Sequence, residues 1–256
     1  MIGIDRDQRK AGGFVMLQAP GLNTATLGAL LMVGVHVVVW ELFRRGGEDL
    51  VEKIYLTWGG LSWEGMASGR LWQIVTHAFL HGNILHLLMN TLLFYYAAAR
   101  LSHVMSGWRI AGLFLLCVVG SGLAHVLAQA LFPALPVLVG ASGGITGLLL
   151  GFFSSSPESR MMFLPVSAGN LSKGVLIASL FLFVISPVAE LPMLSNLGRF
   201  LETAFGPGLF QAAHLVHFTG GAMGWFLATK FLPRLLSRDD LMRMRMEGEA
   251  RATGGR

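Results

Sequence analysis

The chain has 256 residues, of which 54% are apolar and only 13% are charged, and its mean hydropathy is +0.62. A soluble domain carries about 25% charged residues, so this composition excludes an ordinary soluble protein and predicts an all-α membrane protein. The net charge of +5 does not indicate nucleic-acid binding, because the basic residues flank apolar runs, as they do beside anionic lipid. The single cysteine, Cys117, excludes an internal disulfide and a thiol-based metal cluster.

Six apolar runs are predicted to cross the bilayer as helices. In chain order the runs extend approximately over residues 27–43, 78–99, 108–131, 142–153, 174–186 and 210–232. The runs predict one membrane domain, residues 27–232, between a polar N-terminal tail, 1–26, and a basic C-terminal tail, 233–256.

Two segments between the runs combine apolar, aromatic and charged residues without a stretch long enough to cross a bilayer. The first, residues 44–75, contains several tryptophans and is predicted to be an amphipathic loop at the membrane surface. The second, residues 188–209, contains glycine and proline and is predicted to be another amphipathic loop. Together with the fifth helix it is predicted to form a movable gate for lateral access to Ser142.

An even number of crossings places both termini on the same side of the membrane. If that side is the cytoplasm, only five basic residues lie outside: Arg44, Arg45, Lys53, Arg70 and Arg199. Cytoplasmic loops carry an excess of lysine and arginine, so a multi-pass protein of the cell membrane with cytoplasmic termini is predicted.

The fourth run, which begins at Ser142, is shorter than the roughly 20 residues that a full crossing needs. Its start therefore lies below the membrane surface among other helices, or the helix extends back through Pro136. In the first case residues 133–141 enter the membrane as irregular backbone, which is tolerated only where protein or water satisfies its polar groups. Ser142 is then expected in a pocket that water can reach.

Small residues recur at every fourth position of the fourth and sixth runs, and this spacing predicts two smooth faces that pack closely. The two sets are Gly143, Gly147 and Gly151, and Gly220, Gly224 and Ala228.

Ser142 directly precedes the first small-residue face, and His217 lies about one turn before the second, so both are expected at a similar depth. A histidine within hydrogen-bond reach can accept a serine proton and create a nucleophile. The alternatives are that His214 is the base, or that His217 only bonds a neighbouring helix. No acidic residue of the predicted spans lies near this pair, so a dyad is predicted rather than a triad.

His86 and Asn90 are four residues apart and share one face of the second helix. Together with the backbone N–H of Ser142 they could form an oxyanion hole, in which each donor contributes on the order of 3 kcal/mol. Zinc binding is the alternative, because His77 and His81 are also four apart. The motif lacks the carboxylate of a His-Glu-x-x-His site, so a zinc site is not predicted.

Three motifs resemble those of the rhomboid family of intramembrane serine proteases, in the family's order. They are His81 with His86-x-x-x-Asn90, then Gly140-Ala141-Ser142-Gly143, then His217-x-x-Gly220-x-x-x-Gly224. The resemblance covers about residues 50–232. It implies a six-helix, rhomboid-like bundle with Ser142 as nucleophile, His217 as base, and His86 and Asn90 as oxyanion donors, and it implies that the protein needs no metal and no cofactor.

Two positions depart from the family's pattern. The Trp-Arg pair of the first loop is Trp72-Gln73 here, and the aromatic residue four after the serine is Thr146. The first departure puts some anchoring of the loop in doubt, and the second puts stacking against the imidazole in doubt.

The resemblance and the predicted dyad together predict an intramembrane serine endopeptidase that cleaves transmembrane protein substrates near their outer end within the lipid bilayer. A rhomboid-like pseudoprotease, which binds transmembrane clients without cleavage, is the main alternative. A small transporter is a third, although charge for ion coupling is nearly absent from the spans.

Overall fold

The computed structural model describes residues 23–159, 166–206, 208–211, 213–231, 242 and 245–247. These residues form helices and connecting segments without a β-strand, and one isolated antiparallel bridge pairs Leu61 with Leu138. The helices are α1 (Thr24–Glu52), α2 (Trp63–Ala67), α3 (Gln73–Thr76), α4 (Ile84–Leu101), α5 (Gly107–Leu131), α6 (Ser142–Ser155), α7 (Ala168–Ile185), α8 (Leu194–Phe205), α9 (Gly208–Gln211) and α10 (His214–Phe231). Residues 1–22 of the predicted N-terminal tail and most of the C-terminal tail lie outside the described residues, while residues 24–26 of that N-terminal tail belong to α1.

Four of the described helices are long and apolar enough to cross a membrane, namely α1 with its continuation to Gly59, α4, α5 and α7. The central helix is α6, which has 14 residues and packs against α4, α5, α7 and α10. The described part of the chain is therefore an all-helical, multi-pass membrane protein. The count of six crossings stays a prediction.

Helix α1 is longer than predicted, since residues 44–52 continue it instead of starting a loop. Glu41 forms ion pairs with Arg44 and Arg45 at 2.9 and 2.8 Å, and such i,i+3 and i,i+4 pairs support an exposed helical face. The helix is kinked at Gly47, whose φ of +72° is not helical. The prediction that a loop begins at residue 44 is therefore wrong, because the charged residues 44–52 belong to α1.

Side-chain caps set the starts of two helices that the apolar pattern misplaces. The second predicted run begins at residue 78, but α4 begins at Ile84, because the Asn83 side chain accepts a 2.8 Å hydrogen bond from the His86 N–H. The fifth run begins six residues before its predicted start, at Ala168, where Ser167 is the N-cap. Residues 77–79 form a separate 3₁₀ turn.

The segment between α1 and α4 is built from short helical pieces rather than from one loop. Lys53–Gly59 is a π-helical continuation of α1, and α2, α3 and the 3₁₀ turn follow. Trp58, Trp63 and Trp72 expose their side chains, as is typical of residues at a membrane interface. Its location at the membrane surface stays a prediction.

Helix α8 occupies the second predicted loop and turns its apolar side outward. Ser195 and Gly198 are buried, and an ideal Cβ on Gly198 would overlap the carbonyl oxygen of Ile185 at the end of α7. Phe200 and Phe205 are exposed. The small residues therefore hold α8 against α7 while its aromatic side chains face away from the protein.

Candidate active site

Helices α6 and α10 are in backbone contact along their glycine faces. An ideal Cβ on Gly220 would overlap the carbonyl oxygen of Gly143, and one on Gly224 would overlap that of Gly147. In the other direction, a Cβ on Gly147 would lie 2.9 Å from the carbonyl oxygen of Gly220. The predicted close packing of the two small-residue faces is confirmed.

This contact brings the neighbourhoods of Ser142 and His217 together. Ser142 is the first residue of α6, and its neighbour Gly143 lies against both Val216 and Gly220 of α10. His217 lies between those two residues in sequence, and both Ser142 and His217 are half-buried. No hydrogen bond joins the two side chains in the described structure, so the dyad stays a prediction.

His214, the competing base, is engaged elsewhere. One of its ring nitrogens, Nε2, donates to the carbonyl oxygen of Leu209 at 2.7 Å. Its ring packs edge-on to that of His217, with 6.3 Å between the ring centroids. His214 therefore borders His217, and its hydrogen bond to the segment before α10 favours His217 as the base.

His86 and Asn90 meet at Gly140, two residues before Ser142. An ideal Cβ on Gly140 would lie 2.7 Å from His86 Nε2 and 3.6 Å from Asn90 Nδ2. The φ of Gly140 is +112°, which L side chains rarely adopt, so this position requires glycine for two separate reasons. His86 and Asn90 therefore border the backbone that leads into Ser142.

The amide of Asn90 is a buried donor without a hydrogen-bond partner among the described residues. Asn90 is only 4% exposed, and its Nδ2 atom is shielded from bulk solvent. Buried polar groups are nearly always hydrogen-bonded, and exceptions often mark functional sites. Asn90 is thus free to bind an oxygen atom placed near Gly140.

Several backbone polar groups of the segment 133–141, which is predicted to be irregular if α6 starts below the membrane surface, are hydrogen-bonded to protein. Backbone bonds of 2.9 Å run both ways between Leu61 and Leu138, and Gly140 N–H donates to the His77 carbonyl oxygen at 2.8 Å. From α5, His125 Nε2 bonds the Pro136 carbonyl oxygen at 3.0 Å, and Gln129 Nε2 bonds that of Leu135 at 2.8 Å. This meets the condition for irregular backbone inside a membrane protein.

The anchoring of this segment by His125 and Gln129 was not predicted from the sequence. They are four residues apart in an otherwise apolar helix, and that spacing is the signal that could have identified a polar face. His77, considered above as a zinc ligand, bonds the Gln73 carbonyl oxygen through Nδ1 at 2.9 Å. Among the described residues, no three histidine, cysteine or carboxylate side chains are grouped to hold a metal ion.

The two departures from the family pattern have different consequences. Trp72 Nε1 donates to the Trp58 carbonyl oxygen and Gln73 Nε2 to that of Thr57, each at 2.8 Å, so this pair still anchors the first loop. Thr146 donates its hydroxyl to the Ser142 carbonyl oxygen at 2.7 Å. That bond stays within α6, and position 146 therefore offers no ring to an imidazole.

The sequence matches known proteins over the region that holds this site. The family model for the rhomboid domain matches residues 68–234. The rhomboid protease GlpG of Serratia proteamaculans is 32% identical over 158 residues, which are 60% of this chain and 52% of that protein. RHOMBOID-like protein 4 of Arabidopsis thaliana is 35% identical over 99 residues, 38% of this chain and 24% of that protein.

A mouse relative extends the comparison to animals. Rhomboid-related protein 2 of Mus musculus is 26% identical over 166 residues, 64% of this chain and 51% of that protein. The chain spans about half or less of the length of these curated relatives. Because the rhomboid domain model covers well over half of the chain, including Ser142 and His217, the chain belongs to the rhomboid family.

Proposed function

We propose that this chain is an intramembrane serine endopeptidase with Ser142 and His217 as its catalytic dyad. The observation that carries the proposal is the contact of His86 and Asn90 with Gly140, two residues before Ser142, beside the backbone contact between α6 and α10, the helix that contains His217. The backbone contact between α6 and α10 supports it, because it keeps the serine and histidine regions at one depth. The Serratia relative, which is named as a protease, adds support.

In the proposed reaction, Ser142 Oγ attacks the carbonyl carbon of a peptide bond while His217 takes the hydroxyl proton. The negative charge on the carbonyl oxygen is held by His86, by Asn90 and by backbone N–H groups in the first turn of α6, which have no intrahelical partner. His217 returns the proton to the leaving amine. A water molecule then hydrolyses the acyl-enzyme with His217 again as base.

The proposed substrates are transmembrane segments of other membrane proteins, which unwind locally and are cut near their outer end. They enter sideways from the lipid bilayer, and α7 with α8 is the proposed gate, because α8 rests on the end of α7 through Ser195 and Gly198. Residues 27–232 are the proposed protease domain. The distribution of basic residues supports cytoplasmic termini and a place in the cell membrane.

The alternative is a rhomboid-like pseudoprotease that binds transmembrane clients without cleaving them. Both candidate reacting side chains and both candidate oxyanion donors are present, which favours the protease.

Cleavage of a transmembrane reporter by the purified protein in detergent tests the proposal. Wild-type protein is expected to cut the reporter and to be labelled at Ser142 by a fluorophosphonate probe. Ser142→Ala and His217→Ala should lose cleavage, while the matched controls Ser154→Ala and His103→Ala should keep it. Reporter binding without cleavage in wild-type protein would establish the pseudoprotease instead.

A further inference from the structure

His81 is a buried histidine for which the proposed reaction gives no role. It is 1% exposed, and neither of its ring nitrogens has a hydrogen-bond partner among the described residues. Its ring packs edge-on to the ring of His86, with 5.2 Å between centroids and 75° between planes. Apart from a weak interaction with the Phe79 backbone, no side-chain hydrogen bond fixes this ring, so its position depends mainly on packing and on the backbone that carries it.

That backbone is held by Tyr55. The Tyr55 hydroxyl donates a 2.6 Å hydrogen bond to the His81 carbonyl oxygen. Such a bond joins two parts of the chain that are 26 residues apart, just before the N-cap of α4. It therefore fixes the turn that presents His81 to His86.

The segment that carries Tyr55 is itself anchored to the first loop. The carbonyl oxygen of Thr57 accepts from Gln73 and that of Gly59 accepts from the Thr76 hydroxyl at 2.9 Å. Gly59 also packs against the Leu80 side chain, the residue before His81. Residues 53–59 precede the rhomboid domain match, which begins at residue 68, so Tyr55 reaches the site from outside the matched region.

The charge state of His81 suits contact with a neighbouring imidazole. Burial, with a smaller contribution from His86, lowers the pKa of His81 to about 4, although an interaction with the Phe79 backbone opposes the shift. His81 is then neutral near pH 7, so its ring can lie against His86 without repulsion between two imidazolium charges.

We propose that Tyr55 and His81 are positioning residues for His86, with Tyr55 fixing the turn at residues 80–83 and the His81 ring fixing the orientation of the His86 ring. Neither residue touches the reacting atoms. The proposal rests on the proposed function, in which His86 donates to the oxyanion. A donor acts only when it is aimed at the developing charge, so loosening His86 should slow the chemical step and leave substrate binding unchanged.

Removal of the Tyr55 hydroxyl tests the proposal, with Tyr96→Phe as the matched control. The Tyr96 side chain is exposed, and the guanidinium of Arg100 lies over its ring. Because Tyr55→Phe removes one hydrogen bond, it is expected to lower kcat about 3- to 10-fold and to leave KM unchanged. Tyr96→Phe should leave both constants unchanged.

Two further variants separate positioning of His86 from a general structural role. In a His86→Ala background, Tyr55→Phe is expected to change kcat less than about twofold, because residues that act through one group are not additive. His81→Phe keeps a ring beside His86 and should keep most of the kcat, whereas His81→Ala should lower it. Thermal unfolding of every variant identifies any that merely fail to fold.

The possible failures are distinct. Absence of reporter cleavage by wild-type protein overturns the proposed function, and the ¹⁵N ring shifts of labelled His86 then test its positioning in Tyr55→Phe. Cleavage by wild-type and Tyr55→Phe at equal kcat overturns the positioning role alone. An equal loss of kcat with and without His86, or a change in KM rather than kcat, overturns it as well.

Discussion

Gly224→Ala tests whether the backbone contact of α6 and α10 holds the candidate site together. Gly224 contacts no candidate reacting residue, and its ideal Cβ would overlap the carbonyl oxygen of Gly147. Real Cβ atoms essentially never come within 3.0 Å of such a neighbour, and ordinary contact begins at 3.4 Å. Since both partners are backbone, the helices have to separate by about 1 Å, and overpacking of this kind lowers the free energy of unfolding by about 1–3 kcal/mol.

The expected loss of activity is larger than the loss of stability suggests. A misplacement of about 1 Å between reacting groups can cost about 100-fold in rate. Reporter cleavage in detergent gives the rate, and thermal unfolding gives the stability. Gly112→Ala in α5 and Gly174→Ala in α7 are matched controls, because no atom lies within 4 Å of their ideal Cβ positions. Cleavage by Gly224→Ala at the wild-type rate, or an equal loss in Gly174→Ala, would refute the argument.

Three further predictions concern the surroundings of Ser142. Gly140→Ala should abolish reporter cleavage, because its φ of +112° disfavours a side chain and its Cβ would strike the His86 ring; normal cleavage would contradict this. Asn90→Ala should lower kcat by about 10²- to 10³-fold in the same assay, with little change in KM, as for other oxyanion donors; a change confined to KM would speak against that role. Burial lowers the pKa of His77 from 6.5 to about 4 against an opposing bond to the Gln73 carbonyl oxygen, so the folded state favours the neutral ring. The contribution of His77 to the free energy of unfolding should then be constant above about pH 6.5 and fall by up to about 3 kcal/mol as the pH drops to about 4, so the acid-induced loss of stability should be smaller in His77→Gln in thermal unfolding curves.

Features that follow from spacing along one helix were predictable from the sequence. The glycines of α6 and α10 recur every fourth residue, and that period alone places them on facing stripes. The same period puts His86 and Asn90 on one side of α4, where both reach Gly140. Composition was enough to predict a helical membrane protein, because few charged residues leave no other class.

Features that depend on contacts between distant segments were not predictable. The bond from Tyr55 to His81 joins residues 26 apart, and that from Trp63 N–H to Gln129 joins residues 66 apart. No local pattern encodes such pairs. The start of α4 was missed for a related reason: apolar residues before Ile84 continue the hydrophobic run, while the Asn83 cap decides where the helix begins.

The helix that carries Ser142 begins without a side-chain cap, as its neighbour α5 also does. Asn23, Ser62, Asn83 and Ser167 each cap a helix with a side-chain acceptor, whereas the N-cap of α6 is Ala141, which has none. A buried helix start without a cap leaves backbone N–H donors that need another partner. In the proposed reaction that partner is the oxyanion, and the buried Asn90 amide beside Gly140 supplies a donor of the same kind. The hydrogen bonds from α5 and the first loop to residues 132–141 are then what keep these donors in place, so the same segment that allows α6 to start inside the bundle also aligns the proposed site.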